Sequence, residues 1–214
     1  MYRPHDLMWL ADTASLLSSD ALPDWATPAW LAIAPVVVRR ATPADAGHVP
    51  VGLRGMARHE RCAANVPATQ VLRSQTPEAV LDDWLKRGAP CQRRLPCLRT
   101  LLALVPEFNA LPLAWGVTGG VGFTLASGID VLRESSDLDL LVRAPSAADA
   151  AVLRDIAPML LGHDARIDVQ IQTPAGAFAL LEWLRTRGPV LLKTDLGPVL
   201  CEDAWSPPER RAVA

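Results

Sequence analysis

The sequence lacks several features that would place it in a specialised class of protein. It has no apolar run near the ~18 residues that a membrane-spanning helix needs, and its 214 residues carry a formal net charge of only −2. A general nucleic-acid binder should be clearly basic, so we expect neither nucleic acid nor a membrane as a partner. Half of the residues are hydrophobic and 21% are charged, which is typical of a folded globular protein.

Cysteine and most aromatic residues are also scarce. The four cysteines show no zinc-knuckle spacing, and a chain of this length does not need disulfide bonds. No signal peptide is recognisable at the N-terminus, so we expect reduced thiols and a cytoplasmic protein. Seven tryptophans accompany one tyrosine and three phenylalanines, and their scattered positions favour packing roles over a stacking array.

Apolar periodicity and capping signals divide the chain into helices and strands. We predict strands at residues 33–40, 50–55, 113–117, 137–142, 166–172, 190–192 and 199–201. We predict helices at residues 76–88, 95–105, 121–126, 147–160 and 174–185, and a basic loop or short helix at 54–64. The helix near residue 76 has the clearest limits, because Thr76 can cap it, Pro77 suits its first turn and Gly88 ends it.

This alternation of helices and strands indicates an α/β or α+β layer structure. The segment 89–94 is typical of a linker, so we place a domain boundary near residue 90. The expected domains are therefore residues 1–90 and 91–214.

Three features of the C-terminal half carry the chemistry. Gly119-Gly120 stands between a strand and a helix, where glycine lets backbone amides approach a phosphate and the helix start adds positive charge. Asp137 and Asp139 are two residues apart on one predicted strand and therefore face the same side. Asp168 lies on the polar face of the next predicted strand. Together these features favour a site for phosphate chemistry.

Carboxylates grouped near a phosphate also predict a divalent cation. Mg²⁺ prefers oxygen ligands and is commonly held by one or two carboxylates together with substrate phosphates. Without a cation, three neighbouring carboxylates would repel one another and raise one another's pKa values. We therefore expect a divalent cation, Mg²⁺ or Mn²⁺, among these carboxylates.

Each of these features has a simpler interpretation when it is taken alone. A lone Asp-x-Asp is more often a solvated strand end, a lone Gly-Gly is usually a turn, and an aspartate such as Asp168 usually lies at a sheet edge or surface. The order of the three along one chain makes the metal–phosphate interpretation as well supported as these alternatives, and both stay open on the residues alone.

Basic residues in the N-terminal half supply a second observation. Five arginines and only two acids occur between residues 39 and 61, and the planar guanidinium group suits phosphate binding. Arg54, Arg58 and Arg61 are the candidates for binding substrate, and Lys193 in the other half is a further one. The alternative is a solvated basic face or salt bridges to the acidic C-terminal half. A lone histidine such as His5 is more often structural than catalytic.

The order Gly119-Gly120, Asp137-x-Asp139 and Asp168 resembles the signature of polymerase-beta-type nucleotidyltransferases. Within them the chain is most similar to phosphoribosyl-dephospho-CoA transferases, also called malonate decarboxylase holo-acyl-carrier-protein synthases. The segments that carry this resemblance are Arg3-Pro4-His5-Asp6-Leu7, 35–40, 51–55, 115–123, Ser136-Asp137-Leu138-Asp139-Leu140-Leu141 and Ile167-Asp168-Val169-Gln170.

The resemblance implies a fold, a reaction and a set of roles. It implies an α+β protein, with a small N-terminal α/β domain that binds substrate or carrier and a C-terminal mixed-sheet nucleotidyltransferase domain. The implied reaction joins 2′-(5″-triphosphoribosyl)-3′-dephospho-CoA to a serine of an acyl carrier protein and releases diphosphate. Asp137 and Asp139 would bind the metal, Gly119-Gly120 the triphosphate, and Asp168 would help the serine lose its proton.

One position departs from the pattern of the resemblance. Nucleotidyltransferases usually have Gly-Ser in this turn, whereas Gly120 lacks the hydroxyl. Two other functions therefore stay open at this stage. One is an ATP-dependent nucleotidyltransferase with another acceptor, and the other is a non-catalytic nucleotide-binding protein with a decayed site.

Overall fold

The computed structural model describes residues 2–18, 21–88, 95–186 and 188–207. In chain order the strands are β1 Leu7–Leu10, β2 Val36–Val38, β3 His48–Arg54, β4 Arg61–Pro67, β5 Val71–Gln75, β6 Trp115–Val117, β7 Leu138–Arg143, β8 Ile167–Gln172, β9 Ala177–Ala179, β10 Val190–Thr194 and β11 Gly197–Cys201. The α-helices are α1 Pro28–Leu31, α2 Pro77–Lys86, α3 Pro96–Asn109, α4 Gly119–Ser127, α5 Ala150–Met159 and α6 Leu180–Thr186. Two short 3₁₀ helices cover Ala68–Gln70 and Ala147–Asp149.

The N-terminal strands form a five-stranded sheet in the order β4-β3-β2-β1-β5. All four pairings in this sheet are antiparallel. The longest pairing joins β3 to β4 and ends with Arg54 opposite Arg61. The sheet thus sets two arginines side by side at one of its edges.

The C-terminal strands form a six-stranded sheet in the order β11-β10-β9-β8-β7-β6. β7 and β8 run parallel, and the other pairings are antiparallel. Helices α3 and α6 contact this sheet, α5 contacts both of these helices, and α2 contacts β6 and α4. The α+β class expected from the sequence is confirmed, with a mixed sheet in the C-terminal part.

Strand β1 belongs to both hydrophobic cores of the protein. Its four residues are all buried. Met8 and Leu10 pack in the N-terminal core, whereas Leu7 and Trp9 pack in the larger core formed with the C-terminal elements. Because alternate side chains of a strand point to opposite faces, this single strand joins the two cores.

Several sequence predictions agree with these elements. Helix α2 begins at Pro77, and the Thr76 side chain accepts a hydrogen bond from the Ala79 amide at 3.2 Å. Gly88 follows the helix with φ of 76°, which suits a residue without a Cβ. The predicted strands at 137–142 and 166–172 correspond to β7 and β8 to within one residue at each end.

Other predictions are wrong, and tertiary pairing explains the differences. The segment 54–64, predicted as a loop or short helix, contributes to β4, which pairs along β3. The segment 174–185, predicted as one helix, contains β9 before α6. Strands β1 and β5 were not predicted at all. The predicted linker at 89–94 lies outside the described residues. No helix in the described part of the chain is long and apolar enough to cross a membrane.

Candidate active site

Two neighbouring parallel strands bring the candidate carboxylates to one place. Asp139 of β7 lies directly opposite Asp168 of β8, and Asp137 is the residue before β7 begins. The intervening Leu138 and the following Leu140 are buried in the core. Side-chain alternation therefore directs the acids away from the core, and the three carboxyl groups gather where the two strands begin.

Burial and like charge both act on the central carboxylate. Burial raises the pKa of Asp139 above its usual range, and the charges of Asp168 and then Asp137 act in the same direction. Arg54 and Arg58 oppose this shift only in part. The described residues therefore do not provide enough positive charge to stabilise the ionised form of Asp139, and a bound cation would provide it.

Exposed arginines pair with the two outer carboxylates. Arg58 contacts Asp137 at 3.4 Å, and Arg166 contacts Asp168 at 3.0 Å. Among the described residues we find no ion pair to Asp139. The outer pairs are solvent-exposed and contribute little stability, so a stronger cation can replace them.

The donor set fits a hard divalent cation that is shared with a substrate. Asp137 and Asp139 offer the carboxylate oxygens that Mg²⁺ prefers. In the described part of the chain, no group of three or more His, Cys, Asp or Glu side chains is placed to hold a metal ion. A cation at Asp137 and Asp139 would therefore take its remaining oxygen ligands from water or from the phosphates of a bound substrate.

Gly119 has two independent reasons to be glycine. Its φ is 59°, a conformation that other residues rarely adopt. A Cβ at this position would also lie 1.9 Å from Asp139 Oδ2. The Thr118 amide donates to the Asp139 carbonyl oxygen at 2.9 Å, so the start of α4 is fastened to the strand that carries the acid.

Helix α4 begins at Gly119, two residues before the predicted start. Gly119 and Gly120 thus lie in its first turn, and the side chain of the N-cap residue Thr118 makes no capping hydrogen bond. The amides of a first turn are free to bind an anion. At Gly120 a Cβ would meet Arg54 Nη2 at 3.5 Å, so this position faces an arginine of the N-terminal sheet.

The N-terminal sheet supplies the cations that face these acids. Arg54 lies 5.1 Å from the centre of the Phe123 ring, and its Nε is buried without a hydrogen-bond partner among the described residues. Burial, reinforced by Arg61, lowers the pKa of Arg54 to about 10. Burial also lowers the pKa of Arg61, and the charge of Arg58 acts in the same direction. Like charges opposite each other destabilise a sheet, so an anion between these arginines would stabilise them.

The two sheets enclose a cavity of about 710 Å³ between them. Its wall includes Arg54, Arg61, Gly119, Asp139, Asp168 and Lys193. The ion pair of Arg58 and Asp137 is outside this wall, as is Gly120. The structure therefore brings six of the nine candidate residues to one cavity and leaves three beside it.

Sequence reasoning missed or gave little weight to three residues of this region. His5 and Gln170 line the cavity and contact each other through His5 Nε2 and Gln170 Nε2 at 2.7 Å. Arg166 pairs with Asp168. Gln170 could have been selected, because it lies on the same strand face as Asp168, whereas nothing near His5 in the sequence signals its distant partner.

Comparison with known proteins gives a consistent family assignment. Residues 3–77 match the family model of the phosphoribosyl-dephospho-CoA transferase MdcG N-terminal domain, and residues 84–204 match that of its C-terminal domain. No solved structure matches the chain.

Full-length relatives agree with these matches. The chain is 46% identical over 210 residues to a phosphoribosyl-dephospho-CoA transferase of Pseudomonas putida (strain GB-1), covering 98% of each chain. It is 42% identical over 203 residues to one of Klebsiella pneumoniae, covering 95% of this chain and 96% of the relative. The site just described therefore lies in an enzyme, and the chain belongs to the phosphoribosyl-dephospho-CoA transferase family.

Proposed function

We propose that this enzyme transfers a phosphoribosyl-dephospho-CoA group from 2′-(5″-triphosphoribosyl)-3′-dephospho-CoA to a serine of the acyl carrier protein subunit of malonate decarboxylase, in the cytoplasm. The observation that carries the proposal is the cavity in which Asp139 and Asp168 lie beside the open helix start at Gly119. Arginines from the opposite sheet line the same cavity. Such a site suits a polyanionic donor and a metal-assisted displacement.

The phosphates of the donor would be held from both sheets. Arg54 and Arg61 offer guanidinium groups that match phosphate oxygens, and the first amides of α4 offer backbone donors. Lys193 lines the same cavity from β10 and would bind another phosphate of the donor. When a cation binds Asp137, Arg58 would leave its ion pair with this carboxylate and bind the triphosphate instead.

Asp137 and Asp139 would hold Mg²⁺ or Mn²⁺ in this enzyme. When bound, the ion would neutralise charge on the phosphates and on the leaving diphosphate. Its arrival would also relieve the repulsion that raises the pKa of Asp139. The chain's own contribution is to hold these two carboxylates within reach of the phosphates bound by Arg54 and Arg61.

The transfer itself is a displacement at the phosphorus next to the sugar. The serine oxygen forms the new bond to phosphorus, and the bond from phosphorus to the leaving diphosphate breaks. The serine proton passes to Asp168, which faces the cavity next to Asp139. The products are a phosphodiester on the carrier protein and free diphosphate.

A mass measurement on the carrier protein tests this function. The purified enzyme is incubated with the carrier protein, Mg²⁺ and either the dephospho-CoA donor or ATP. We expect the mass of the carrier to rise by the prosthetic group with the first donor only. A rise with ATP alone would favour an ATP-dependent nucleotidyltransferase, and no change with either donor would contradict transfer.

A further inference from the structure

His5 and Gln170 form a polar pair in the wall of the cavity that the transfer chemistry does not use. Gln170 lies on β8 of the C-terminal sheet, His5 lies in the turn before β1 of the N-terminal sheet, and the two side chains meet at 2.7 Å. Gln170 is two residues after Asp168 on the same face of β8, and the next residue on that face, Gln172, is bound by Arg40 from the N-terminal part. The pair therefore lies beside the catalytic acids and inside the same cavity.

The backbone holds His5 in an uncommon conformation. Its φ of 76° is the only positive value outside glycine in the described part of the chain. Two contacts fasten it: the His5 amide donates to the Val38 carbonyl oxygen at 2.9 Å, and the Arg3 amide donates to Asp6 Oδ2 at 2.9 Å. Such strained residues persist where the surroundings determine them and cluster at binding sites. The turn thus presents this imidazole to the cavity at a cost in backbone energy.

The imidazole of His5 is neutral. Burial lowers its pKa to about 4, and the nearby cations Arg40, Arg143 and Lys193 act in the same direction. With the Gln170 amide nitrogen facing the ring, the imidazole accepts a hydrogen bond at Nε2 and carries its own proton on Nδ1. The pair is therefore an uncharged hydrogen-bonding unit among cations, which suits hydroxyl groups better than further phosphates.

The position of the pair relative to the acids indicates which part of the donor it would meet. Residues two apart on a strand are roughly 6.6 Å apart, so Gln170 lies about one sugar's span from Asp168. The transferred phosphorus would lie at Asp139 and Asp168. The next group along the donor, on the side away from the diphosphate, is the ribose.

We propose that His5 and Gln170 form the subsite for the pentose next to the transferred phosphorus and bind its hydroxyl groups. This inference rests on the proposed function, because it takes the phosphate end of the donor to lie at Asp139 and Asp168. It adds a specificity element to that site, since a donor without the pentose hydroxyls would make fewer hydrogen bonds to the pair.

Binding measurements with three probes test the subsite. The probes, each with Mg²⁺, are inorganic triphosphate, methyl riboside 5-triphosphate and its 2,3-dideoxy analogue. We expect the protein to bind the riboside about three- to ten-fold more tightly than the dideoxy analogue, the worth of one or two neutral hydrogen bonds. Gln170→Leu and His5→Gly should remove this difference and leave triphosphate binding unchanged.

The variants are chosen to separate binding from folding. Glycine adopts the φ of His5 without strain, and His5→Asn, which also tolerates that conformation, should keep part of the discrimination. Gln75→Leu is the matched control, because Gln75 is a half-buried glutamine at the end of β5 that bonds Asp83 of α2 and is outside the cavity wall. The Gln75→Leu protein should prefer the riboside over the dideoxy analogue to the same extent as the unaltered protein.

The possible results are distinguishable. Equal affinity of the unaltered protein for both pentose probes would overturn the subsite and leave the proposed function intact. So would a Gln170→Leu protein that keeps the full discrimination. Failure of the unaltered protein to bind inorganic triphosphate with Mg²⁺ would overturn the phosphate site, and the subsite with it.

Discussion

The two sheets contribute opposite charges to one cavity. The C-terminal sheet brings Asp139 and Asp168 side by side, and the N-terminal sheet brings Arg54 and Arg61 side by side. Burial and like charge raise the pKa of Asp139 and lower that of Arg54. Each sheet therefore carries a local repulsion, and a ligand with both a cation and phosphates would relieve the two repulsions together.

The largest effect on transfer is expected when a carboxylate of the C-terminal sheet is removed. Asp139→Asn should lower the transfer rate by at least about 100-fold, because a metal-bound displacement loses several kcal/mol of charge stabilisation. Without metal the variant should unfold at the same or a higher temperature, since the mutual repulsion is gone. Transfer rates and thermal unfolding measure the two effects.

Asp164→Asn is the matched control for this change. Asp164 is an exposed aspartate that pairs with Arg99 away from the cavity, so its loss should leave transfer unchanged. Near-normal transfer by Asp139→Asn with Mg²⁺ present would refute the assignment of the carboxylates.

The position of the Asp139 carboxylate can be disturbed without removing its charge. Gly119→Ala places a Cβ against Asp139 Oδ2 and should lower transfer by about 10- to 100-fold through displacement of that carboxylate. Gly128→Ala is the control, because Gly128 has a similar φ of 76° with nothing within 4 Å of its Cβ position. It should cost about 1 kcal/mol of stability and spare transfer, and equal losses of activity would contradict the role of Gly119.

The basic side is tested by removing its most buried guanidinium. Arg54→Met should weaken binding of the triphosphate donor by about 10-fold, the worth of a charge-assisted hydrogen bond. Its kcat should fall less than that of Asp139→Asn, because in the proposed site Arg54 binds phosphates and does not bind the metal. Arg73→Met serves as control, since Arg73 lies over the Trp9 ring outside the cavity wall. Donor titrations decide, and unchanged affinity in Arg54→Met would contradict phosphate binding.

The smallest expected effect concerns the neutral histidine between the two sheets. The pKa of His5 is lowered from 6.5 to about 4, so between these values the unfolded chain binds a proton that the folded one resists. Stability is therefore lost as pH falls through this window. His5→Asn should reduce that loss by about 1–2 kcal/mol at pH 5, measured by chemical denaturation at pH 7 and pH 5. A pH dependence identical to that of the unaltered protein would contradict burial of a neutral imidazole.

The sequence allowed the C-terminal sheet to be predicted better than the N-terminal one, for a physical reason. β8 alternates polar and apolar residues throughout, and β7 begins in the same way with Leu138-Asp139-Leu140, because one face meets the core and the other meets the cavity. β1 shows no alternation, since both of its faces are buried. β4 begins with Arg61-Cys62-Ala63 and becomes a strand through its pairing with β3, which local propensity does not reveal.

The candidate site divides in the same way. The acids and the glycine turn lie within 50 residues of one another in the sequence, and their spacing already predicted a common face. The arginines could be selected by composition, but their distance from the acids could not. The contact of His5 with Gln170 spans 165 positions, and only the packing of one sheet on the other creates it.

Strand β1 has a consequence for how the molecule comes apart. Leu7 and Trp9 are in the larger core, whereas Met8 and Leu10 are in the smaller one. Separating the two halves would leave the smaller core within the N-terminal half but would remove these two side chains, Leu7 and Trp9, from the larger core. A fragment cut near residue 90 would lose this shared wall, and the intact chain should melt in one cooperative transition. The interior of the C-terminal half is thus complete only when Leu7 and Trp9 of β1 pack against it.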